Sequence, residues 1–228
     1  MTAWDACPAT IDMNALKGRE CFAGLDLASV NDSCSLLLLF PEPGNAVTVL
    51  PVFWIPEGNV DALAKQHKVS YRAFIDRGFM RTTEGNCVDY DRIVEDIKEL
   101  GTLYRIKQMG IDRLFQGQAV ETRLQAIGFD VVPIGQGWRS QSLPAKELER
   151  LVLAHQINHG GHPVLRWHAS NVVAVRDSND NISISKRKSR SKIDGIAAGL
   201  MAILCKMNNA GQTTGRPYYE TNPLIVLT

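Results

Sequence analysis

The sequence predicts an α/β domain in which a mixed β-sheet is flanked by helices on both faces. The chain begins with three apolar, strand-like segments that are joined by short turns. From about residue 57 onward, helical and strand-like patterns alternate. Consecutive strands with short connections form an antiparallel meander, whereas alternating helices and strands add parallel strands to the sheet. At 228 residues, the chain is long enough for one large domain or two small ones with a substantial core.

Turn-forming residues separate the first three predicted strands. The segments 21–28 and 33–40 flank the sequence SVND, and this pattern predicts an antiparallel hairpin. The sequence PEPGN then interrupts the chain before residues 46–55, AVTVLPVFWI, supply the third strand. Residues 1–19 show no clean period, so we interpret them as a lead-in or linker.

The rest of the chain predicts alternating helices and strands. Apolar residues recur at the spacing of one buried helix face within residues 89–104, for example. Ser142, followed by Pro144 in the first turn, is expected to cap a later helix. Helices are predicted at 57–67, 89–104, 117–128, 142–158 and 191–208, and strands at 105–112, 129–135 and twice around an Asn/Asp turn within 162–186.

Composition and charge exclude several classes of protein. The formal net charge is +1, although a basic patch could still be local. The five cysteines form no C-x-x-C pair, which argues against a disulfide framework or a zinc ribbon. No secretory signal opens the chain, and the longest apolar stretch, 196–205, is about half the ~20 residues that a spanning helix needs. We therefore expect a soluble, intracellular protein, without a P-loop ATPase site because no G-x-x-x-x-G-K-[ST] motif occurs.

Asp26 is unusual because it interrupts an apolar strand, between Leu25 and Leu27. An unpaired buried carboxylate is very costly in free energy. Asp26 is therefore neutral, or is paired with a cation, or lies at a working site. Its position in the middle of a predicted strand makes it the strongest candidate among the acidic residues.

Asp112 and Asp194 are two further candidates, at the end of a predicted strand and in the first turn of the last helix. Together with Asp26 they could converge in an α/β fold, where like charges would repel and raise one another's pKa values. Mg²⁺ or Mn²⁺ would relieve this repulsion, because both ions prefer oxygen ligands. Taken alone, Asp194 could be a helix N-terminal acid that the dipole favours, and Asp112 a surface acid.

Three other acids compete for a role in this site. Asp32 is either an additional acid near the site or a turn cap, and turn chemistry is the safer interpretation. Asp76 lies in a stretch that is interpreted as a loop, and Asp130 begins its strand, which would place it at the opposite sheet edge. Both are weaker candidates than Asp112 for the second ligand.

Two stretches, GFMRTTEGNCVDY and HGGHPVLRW, are long enough to suggest a family. Together with CFAGLDLASVNDSCSLLLLFP, FWIP, YRAFIDR, GIDRL and KSRSKIDGIAAGLMA, they run in order from about Cys21 to Ala202. In these motifs the sequence resembles the C-terminal nuclease domain of the tailed-bacteriophage terminase large subunit, the DNA-packaging motor.

The resemblance implies an RNase H-like fold and two-metal hydrolysis of double-stranded, concatemeric DNA during packaging. Asp26, Asp112 and Asp194 match the family's three acids, and they are expected to be both the catalytic residues and the ligands of two Mg²⁺ or Mn²⁺ ions. The implied partners are DNA, the terminase small subunit, the portal or procapsid, and an ATPase domain whose Walker motif this chain lacks. The expected location is the host cytoplasm.

The resemblance also suggests a division of the chain. Residues 1–19 would be an interdomain segment, residues 20–210 the nuclease domain, and residues 211–228 a C-terminal tail. Two other functions remain open: a junction resolvase or transposase-like nuclease of the same fold, and a non-catalytic DNA-binding or motor-docking module with structural acids.

Residues 186–192, KRKSRSK, form what we call the basic segment, immediately before Asp194. We expect it to bind DNA phosphates, although a solvated basic loop is the simpler interpretation from composition alone. Because cations cannot be metal ligands, we expect replacements here to change metal affinity little. The proposed DNA-binding residues are Lys186, Arg187, Lys188, Arg190 and Lys192.

Three histidines, His155, His159 and His162, have a spacing that a zinc site could use. No cysteine accompanies them, and the sequence NHGGHP is typical of a helix end and a turn. A structural role is therefore the favoured interpretation.

Overall fold

The computed structural model describes residues 1–8, 10–28, 32–112, 117–135 and 137–212, the side chains of residues 211 and 212 excepted. The predicted C-terminal tail therefore lies almost entirely outside the described residues. The strands in the described part are β1 (Glu20–Asp26), β2 (Cys34–Pro41), β3 (Val47–Pro56), β4 (Arg81–Thr83), β5 (Arg105–Asp112), β6 (Val131–Ile134), β7 (Ile157–Asn158), β8 (Ala174–Arg176) and β9 (Ile182–Ile184). The helices are α1 (Thr2–Asp5), α2 (Met13–Leu16), α3 (Val60–His67), α4 (Tyr71–Asp76), α5 (Tyr90–Leu103), α6 (Gly117–Ala126), α7 (Trp138–Leu153), α8 (Pro163–Asn171) and α9 (Asp194–Gln212).

The main sheet has the strand order β4-β3-β2-β1-β5-β6, and β7 pairs with β3. The strands β1, β2 and β3 form the antiparallel meander, whereas β5 pairs parallel to β1, β6 parallel to β5, and β4 parallel to β3. The carboxyl ends of β1, β3, β4, β5 and β6 consequently meet at one edge of the sheet, which we call the carboxyl edge. The predicted mixed sheet with helices on both faces is confirmed.

Alternating side chains of the sheet supply two hydrophobic cores, one on each face. In β2, Leu36 and Leu38 pack in the core that contains Ile97 of α5. Leu37 and Leu39 pack in the opposite core, with the apolar face of α9. This division follows from the period of two in a strand, and it explains why β2 is apolar at nearly every position.

Two glycines let α9 lie directly on the sheet. Gly24 of β1 and Gly110 of β5 are register partners. A Cβ at Gly24 would lie 1.9 Å from the carbonyl oxygen of Ala198, and one at Gly110 would lie 3.2 Å from the Cβ of Met201. Any larger residue at Gly24 would therefore push α9 away from the backbone of β1.

Several element boundaries differ from the sequence prediction. Asp26 is the last residue of β1, not a residue in its middle, because the Ala28 N–H donates to Cys34 Sγ (3.2 Å) instead of continuing the ladder. The stretch around Asp76, interpreted as a loop, forms α4, where the Ser70 hydroxyl accepts from the first turn. Residues 163–171 form α8, which the sequence interpretation missed.

The predicted cap at Ser142 is wrong. The helix α7 begins four residues earlier, after Gly137, and Ser142 lies inside it. The Ser142 hydroxyl instead accepts a hydrogen bond from the Ile182 N–H (3.2 Å), so it anchors β9 to the helix. Ser142 therefore makes a tertiary contact between α7 and β9 instead of capping a helix.

The N-terminal residues pack onto the domain. The Trp4 ring is buried and stacks on His159, with ring centroids 4.6 Å apart. The Nε2–H of His159 donates to the Trp4 carbonyl (2.9 Å). Nowhere in the described ranges is a helix both long enough and apolar enough to cross a membrane.

Candidate active site

Strand register places Asp26 beside Asp112. Leu25 of β1 pairs with Ile111 of β5, so the next residue of each parallel strand is an aspartate at the carboxyl edge. Gly24 and Gly110 face α9, and a strand repeats its orientation every two residues, so both aspartates face α9 as well. Asp26 and Asp112 line the same cavity of ≈ 80 Å³.

The helix α9 brings Asp194 to the same place. At its far end, Asn209 Nδ2 donates to Gln108 Oε1 (3.1 Å), so the helix runs antiparallel to β5 and begins at the carboxyl edge. The Gly195 N–H donates to Nδ1 of His168 (2.9 Å), which fixes the first turn of α9 against α8. Asp194 itself is buried, like Asp26 and Asp112.

Lys186 provides a cation for this group of acids. Its Nζ lies 2.8 Å and 3.0 Å from the two carboxylate oxygens of Asp26. The same Nζ lies 3.9 Å from Oδ1 of Asp194. Pairing with a cation, one of the three possibilities raised by the sequence, is thus present in this structure.

A second lysine and a fourth acid lie beside Asp194. Lys192 Nζ donates to Oδ2 of Asp32 and lies 3.8 Å from Oδ2 of Asp194. The Ser33 hydroxyl donates to the same oxygen of Asp194 (3.2 Å), while the Ser33 N–H donates to Asp32 Oδ1 (2.8 Å). Asp32 thus accepts the N–H of the next residue and shares the Lys192 ammonium with Asp194.

Burial is the main cause of the raised pKa of Asp26. Loss of hydration raises the pKa of Asp26, and the Asp194 and Asp112 carboxylates raise it further. The Lys186 ammonium acts in the opposite direction, and the resulting pKa is about 7. The pKa of Asp26 is thus set mainly by its burial, and the two other acids and Lys186 all act on it at this site.

The chemistry of the donor set fits a divalent cation. Among the side chains that the structure describes here, Asp26, Asp112, Asp194 and Asp32 carry four negative charges when ionised, and Lys186 and Lys192 carry two positive charges. Carboxylate oxygens are the ligands that Mg²⁺ and Mn²⁺ prefer. Among the described residues, no group of three potential ligands is close enough to hold a metal ion in this arrangement, in which Lys186 contacts Asp26 and lies 3.9 Å from Asp194.

The rest of the basic segment faces solvent. Arg187, Lys188 and Arg190 are exposed, and their side chains make no hydrogen bond or ion pair with any residue that the structure describes. The segment thus divides into two lysines that contact the acids and three cations that face solvent. The rival acid Asp130 precedes β6 at the opposite sheet edge, where it accepts from Gln108 (2.9 Å).

The three histidines considered for zinc have structural contacts. His159 joins Trp4, as described above, and Nδ1 of His162 accepts from the Leu165 N–H (3.4 Å) at the start of α8. His155 has a left-handed φ of 54° just after α7. Among the described residues these histidines form no metal-binding group.

Two functional or structural residues were missed by the sequence interpretation. His168 is completely buried, and burial lowers its pKa to about 4, so it stays neutral and can accept the Gly195 N–H. Asp96 accepts from Trp54 Nε1 (2.6 Å) and pairs with Arg81 (2.8 Å) and Arg92 (2.7 Å). Asp96 had a detectable signal, because it lies between Ile93 and Leu100 on the apolar face of α5.

An RNase H-like sheet with acids converging at one edge defines a nuclease-type α/β domain. Residues 1–209 match the family described as "Terminase large subunit, endonuclease domain". The chain belongs to this family, as its motifs predicted.

The relatives agree with this assignment. The chain is 31% identical over 204 residues to the terminase large subunit of Enterobacteria phage HK97, and 26% identical over 214 residues to protein YmfN of Escherichia coli (strain K12). These alignments cover 89% of this chain but only 40% and 47% of the two relatives, so the chain spans less than half the length of either curated protein.

Solved structures agree as well. The crystal structure of the HK97 bacteriophage large terminase matches with a TM-score of 0.81 at 30% identity, over 90% of this chain and 42% of the other. The large terminase nuclease from thermophilic phage G20c matches with a TM-score of 0.56 at 14% identity, over 88% of this chain and 95% of the other. The second likeness supports the fold alone.

Proposed function

We propose that this chain is a metal-dependent endonuclease that cuts double-stranded, concatemeric DNA during phage genome packaging. The observation that carries the proposal is the convergence of the buried acids Asp26, Asp112 and Asp194 at the carboxyl edge, where Asp112 and Asp194 both raise the pKa of Asp26. Membership of the terminase endonuclease family supports the same reaction.

In this proposal the three aspartates are both the catalytic residues and the ligands of two Mg²⁺ or Mn²⁺ ions. Such a metal pair, when bound, supplies an activated water and stabilises the leaving 3′ oxygen. Asp26 and Asp112 contribute carboxylates from adjacent, hydrogen-bonded strands, which fixes their separation. Asp194 contributes the third from the first residue of α9. His168 orients that residue by accepting the neighbouring N–H of Gly195.

Divalent metal use has support from a structural relative. The large terminase nuclease from phage G20c has been solved with bound magnesium and with bound cobalt. At 14% identity this likeness gives no ligand for the present chain. The all-oxygen donor set at the carboxyl edge is the independent argument for a hard divalent ion.

The basic segment is proposed to bind the DNA backbone. The solvent-facing side chains of Arg187, Lys188 and Arg190 lie within eight residues of Asp194 along the chain, so phosphates bound there are delivered close to the acids. Lys186 and Lys192 complete the proposed DNA-binding set once they leave the carboxylates. Phosphate contacts of this kind give affinity without sequence preference.

Partners and domain organisation are further parts of the proposal. We propose residues 20–210 as the nuclease domain, with residues 1–19 leading in from an ATPase domain and residues 211–228 as a tail. Family membership supports the terminase small subunit and the portal or procapsid as partners, and the host cytoplasm as the location.

The test is incubation of the protein with supercoiled plasmid in Mn²⁺, in Mg²⁺ and in EDTA. We expect nicked and linear products with either metal and none in EDTA. A matched preparation of Asp112→Asn excludes a contaminating nuclease. Cleavage that persists unchanged in EDTA would overturn the metal mechanism, and a protein that binds duplex DNA but never cuts it would favour a non-catalytic module.

A further inference from the structure

Lys186 occupies the position that a metal shared by Asp26 and Asp194 would need. Its ammonium group is within 3.0 Å of both oxygens of Asp26 and 3.9 Å from Asp194. A cation at these distances accounts for part of the acceptor capacity of Asp26, and it repels a second cation placed beside the same carboxylate. Lys186 and a bound metal would therefore compete for Asp26.

The attachment of Lys186 allows it to leave without unfolding the site. It follows β9, which is anchored to α7 by the hydrogen bond from the Ile182 N–H to Ser142 and by that from Ser183 Oγ to Gln141 (2.6 Å). Its side chain is 45% exposed although its ammonium group contacts a buried carboxylate. Rotation of the four-carbon side chain is enough to carry the ammonium group from Asp26 into solvent.

The neighbours of Lys186 tell where the released ammonium would go. Arg187 and Lys188 are exposed and lie next to it in the chain. A DNA phosphate bound by these cations would lie within reach of Lys186 as well. Such a phosphate replaces Asp26 as the partner of Lys186, so the charge of the lysine stays compensated after it moves.

We propose that Lys186 is an internal competitor of the metal ion, and that DNA binding relieves this competition. The inference rests on the function proposed above. In the absence of DNA, the lysine weakens metal binding; with DNA, it pairs with phosphate and the carboxylates become available. Metal and DNA then bind with positive coupling, and by linkage each raises the affinity for the other by the same factor.

This proposal replaces the expectation from sequence that cations of the basic segment leave metal affinity unchanged. That expectation considered only ligands, whereas a cation also acts by competing for the same carboxylates. It continues to hold for Lys188, whose side chain is not in contact with the acids. The two lysines thus form a matched pair for experiment.

The test compares Lys186→Met with Lys188→Met by calorimetric titration with Mn²⁺ in the absence of DNA. We expect Lys186→Met to bind Mn²⁺ at least ~5-fold more tightly than the unmodified protein, at the lower end of typical coupling factors. Lys188→Met is expected to bind with unchanged affinity. Lys186→Arg, which keeps the positive charge, is expected to retain the weaker affinity of the unmodified protein.

The outcomes separate the inference from the proposed function. If Lys186→Met binds Mn²⁺ with unchanged or lower affinity, while the unmodified protein binds it, the competition is refuted and the metal site stands. If no variant binds Mn²⁺, both fail. Thermal melting in EDTA shows whether each variant is folded; should Lys186→Met not fold, Lys186→Gln provides the same comparison with a polar side chain.

Discussion

Asp26 and Asp96 are both buried aspartates, but the groups around them differ in number, charge and rigidity. Asp96 has three partners, Trp54, Arg81 and Arg92, each held by a regular strand or helix. Asp26 has one lysine from an irregular segment, and its other close neighbours include acids. Burial alone does not distinguish a functional carboxylate from a structural one.

The two sites differ in the charged groups that surround the buried carboxylate. At Asp96, two guanidinium groups and an indole N–H compensate a single carboxylate. At the carboxyl edge, burial raises the pKa of Asp26 to about 7, with Lys186 lowering it and the Asp194 and Asp112 carboxylates raising it. The first arrangement stabilises the fold, whereas the second brings three buried acids together around a carboxylate whose pKa is raised.

The largest expected difference between the carboxyl edge and the surroundings of Asp96 is in DNA cleavage. Replacing Asp26, Asp112 or Asp194 by Asn is expected to lower plasmid cleavage in Mn²⁺ by at least ~10²-fold, the scale on which loss of one electrostatic stabiliser acts. Asp130→Asn, an acid at the opposite sheet edge, is the control and should cleave normally. If a variant kept more than about a tenth of the cleavage rate of the unmodified protein, the replaced aspartate would not belong to the proposed site.

Stability should respond to pH through Asp26. Its pKa of about 7 in the folded chain lies above the ordinary value of 3.8, so its stabilising contribution is complete below pH 3.8 and is lost as the pH rises through 7. Asp26→Asn removes this loss and should raise metal-free stability at pH 8 by up to about 4 kcal/mol, at ~1.4 kcal/mol per pKa unit. Urea unfolding of both proteins at pH 4, 6 and 8 measures the difference, which should grow with pH. A lower stability of Asp26→Asn at pH 8 would mean that the pair with Lys186 outweighs burial and repulsion.

At Asp96, in contrast, we expect the Asn substitution to lower the stability of the fold. Asp96→Asn leaves Arg81 and Arg92 without their carboxylate and should lower the free energy of unfolding by about 2 kcal/mol, less than a fully buried pair because both arginines are half-exposed. Denaturant unfolding measures this change, with Asp61→Asn in an exposed pair as the control that should show none. Cleavage per folded molecule should be retained. If cleavage is lost while the fold remains, Asp96 is not merely structural.

His168 should give the smallest effect, because it acts on the acids through the backbone. His168→Leu removes the acceptor of the Gly195 N–H and should weaken Mn²⁺ binding ~10-fold, as is typical when a group that orients a ligand is removed. His168→Asn places an amide oxygen near the position of Nδ1 and should recover part of the affinity. Calorimetric titration of folded protein gives the comparison. Equal affinities in both variants and in the unmodified protein would restrict His168 to core packing.

Much of the fold followed from the sequence because the relevant signals are local. Period-two and period-3.6 patterns indicated the meander, α3, α5 and α9, and the structure confirmed them. The segments 71–76 and 163–171 were missed as helices because both are short, at 6 and 9 residues, and mix aromatic with polar residues. Ser142 was misassigned because the same hydroxyl can cap a helix or accept from a distant strand.

The acids of the candidate site could be predicted from the sequence, but the lysine that pairs with Asp26 could not. Carboxylates interrupting apolar segments are visible in a sequence, since each sits where a charge is costly. The pairing of Asp26 with Lys186 spans 160 positions, and no local rule relates two such residues. The same holds for His168 and Gly195, which are 27 positions apart.

The sequence by itself therefore determined the alternation of helices and strands and the family. It also singled out three aspartates with the chemistry of metal ligands. Only the tertiary structure decided that Gly24 and Gly110 admit α9 against the sheet, so that Asp194 begins at the carboxyl edge. It also decided which lysine compensates Asp26. The physical reason is that hydrophobic patterns specify which face of an element is buried, whereas close packing and charge pairing depend on which elements meet across that face.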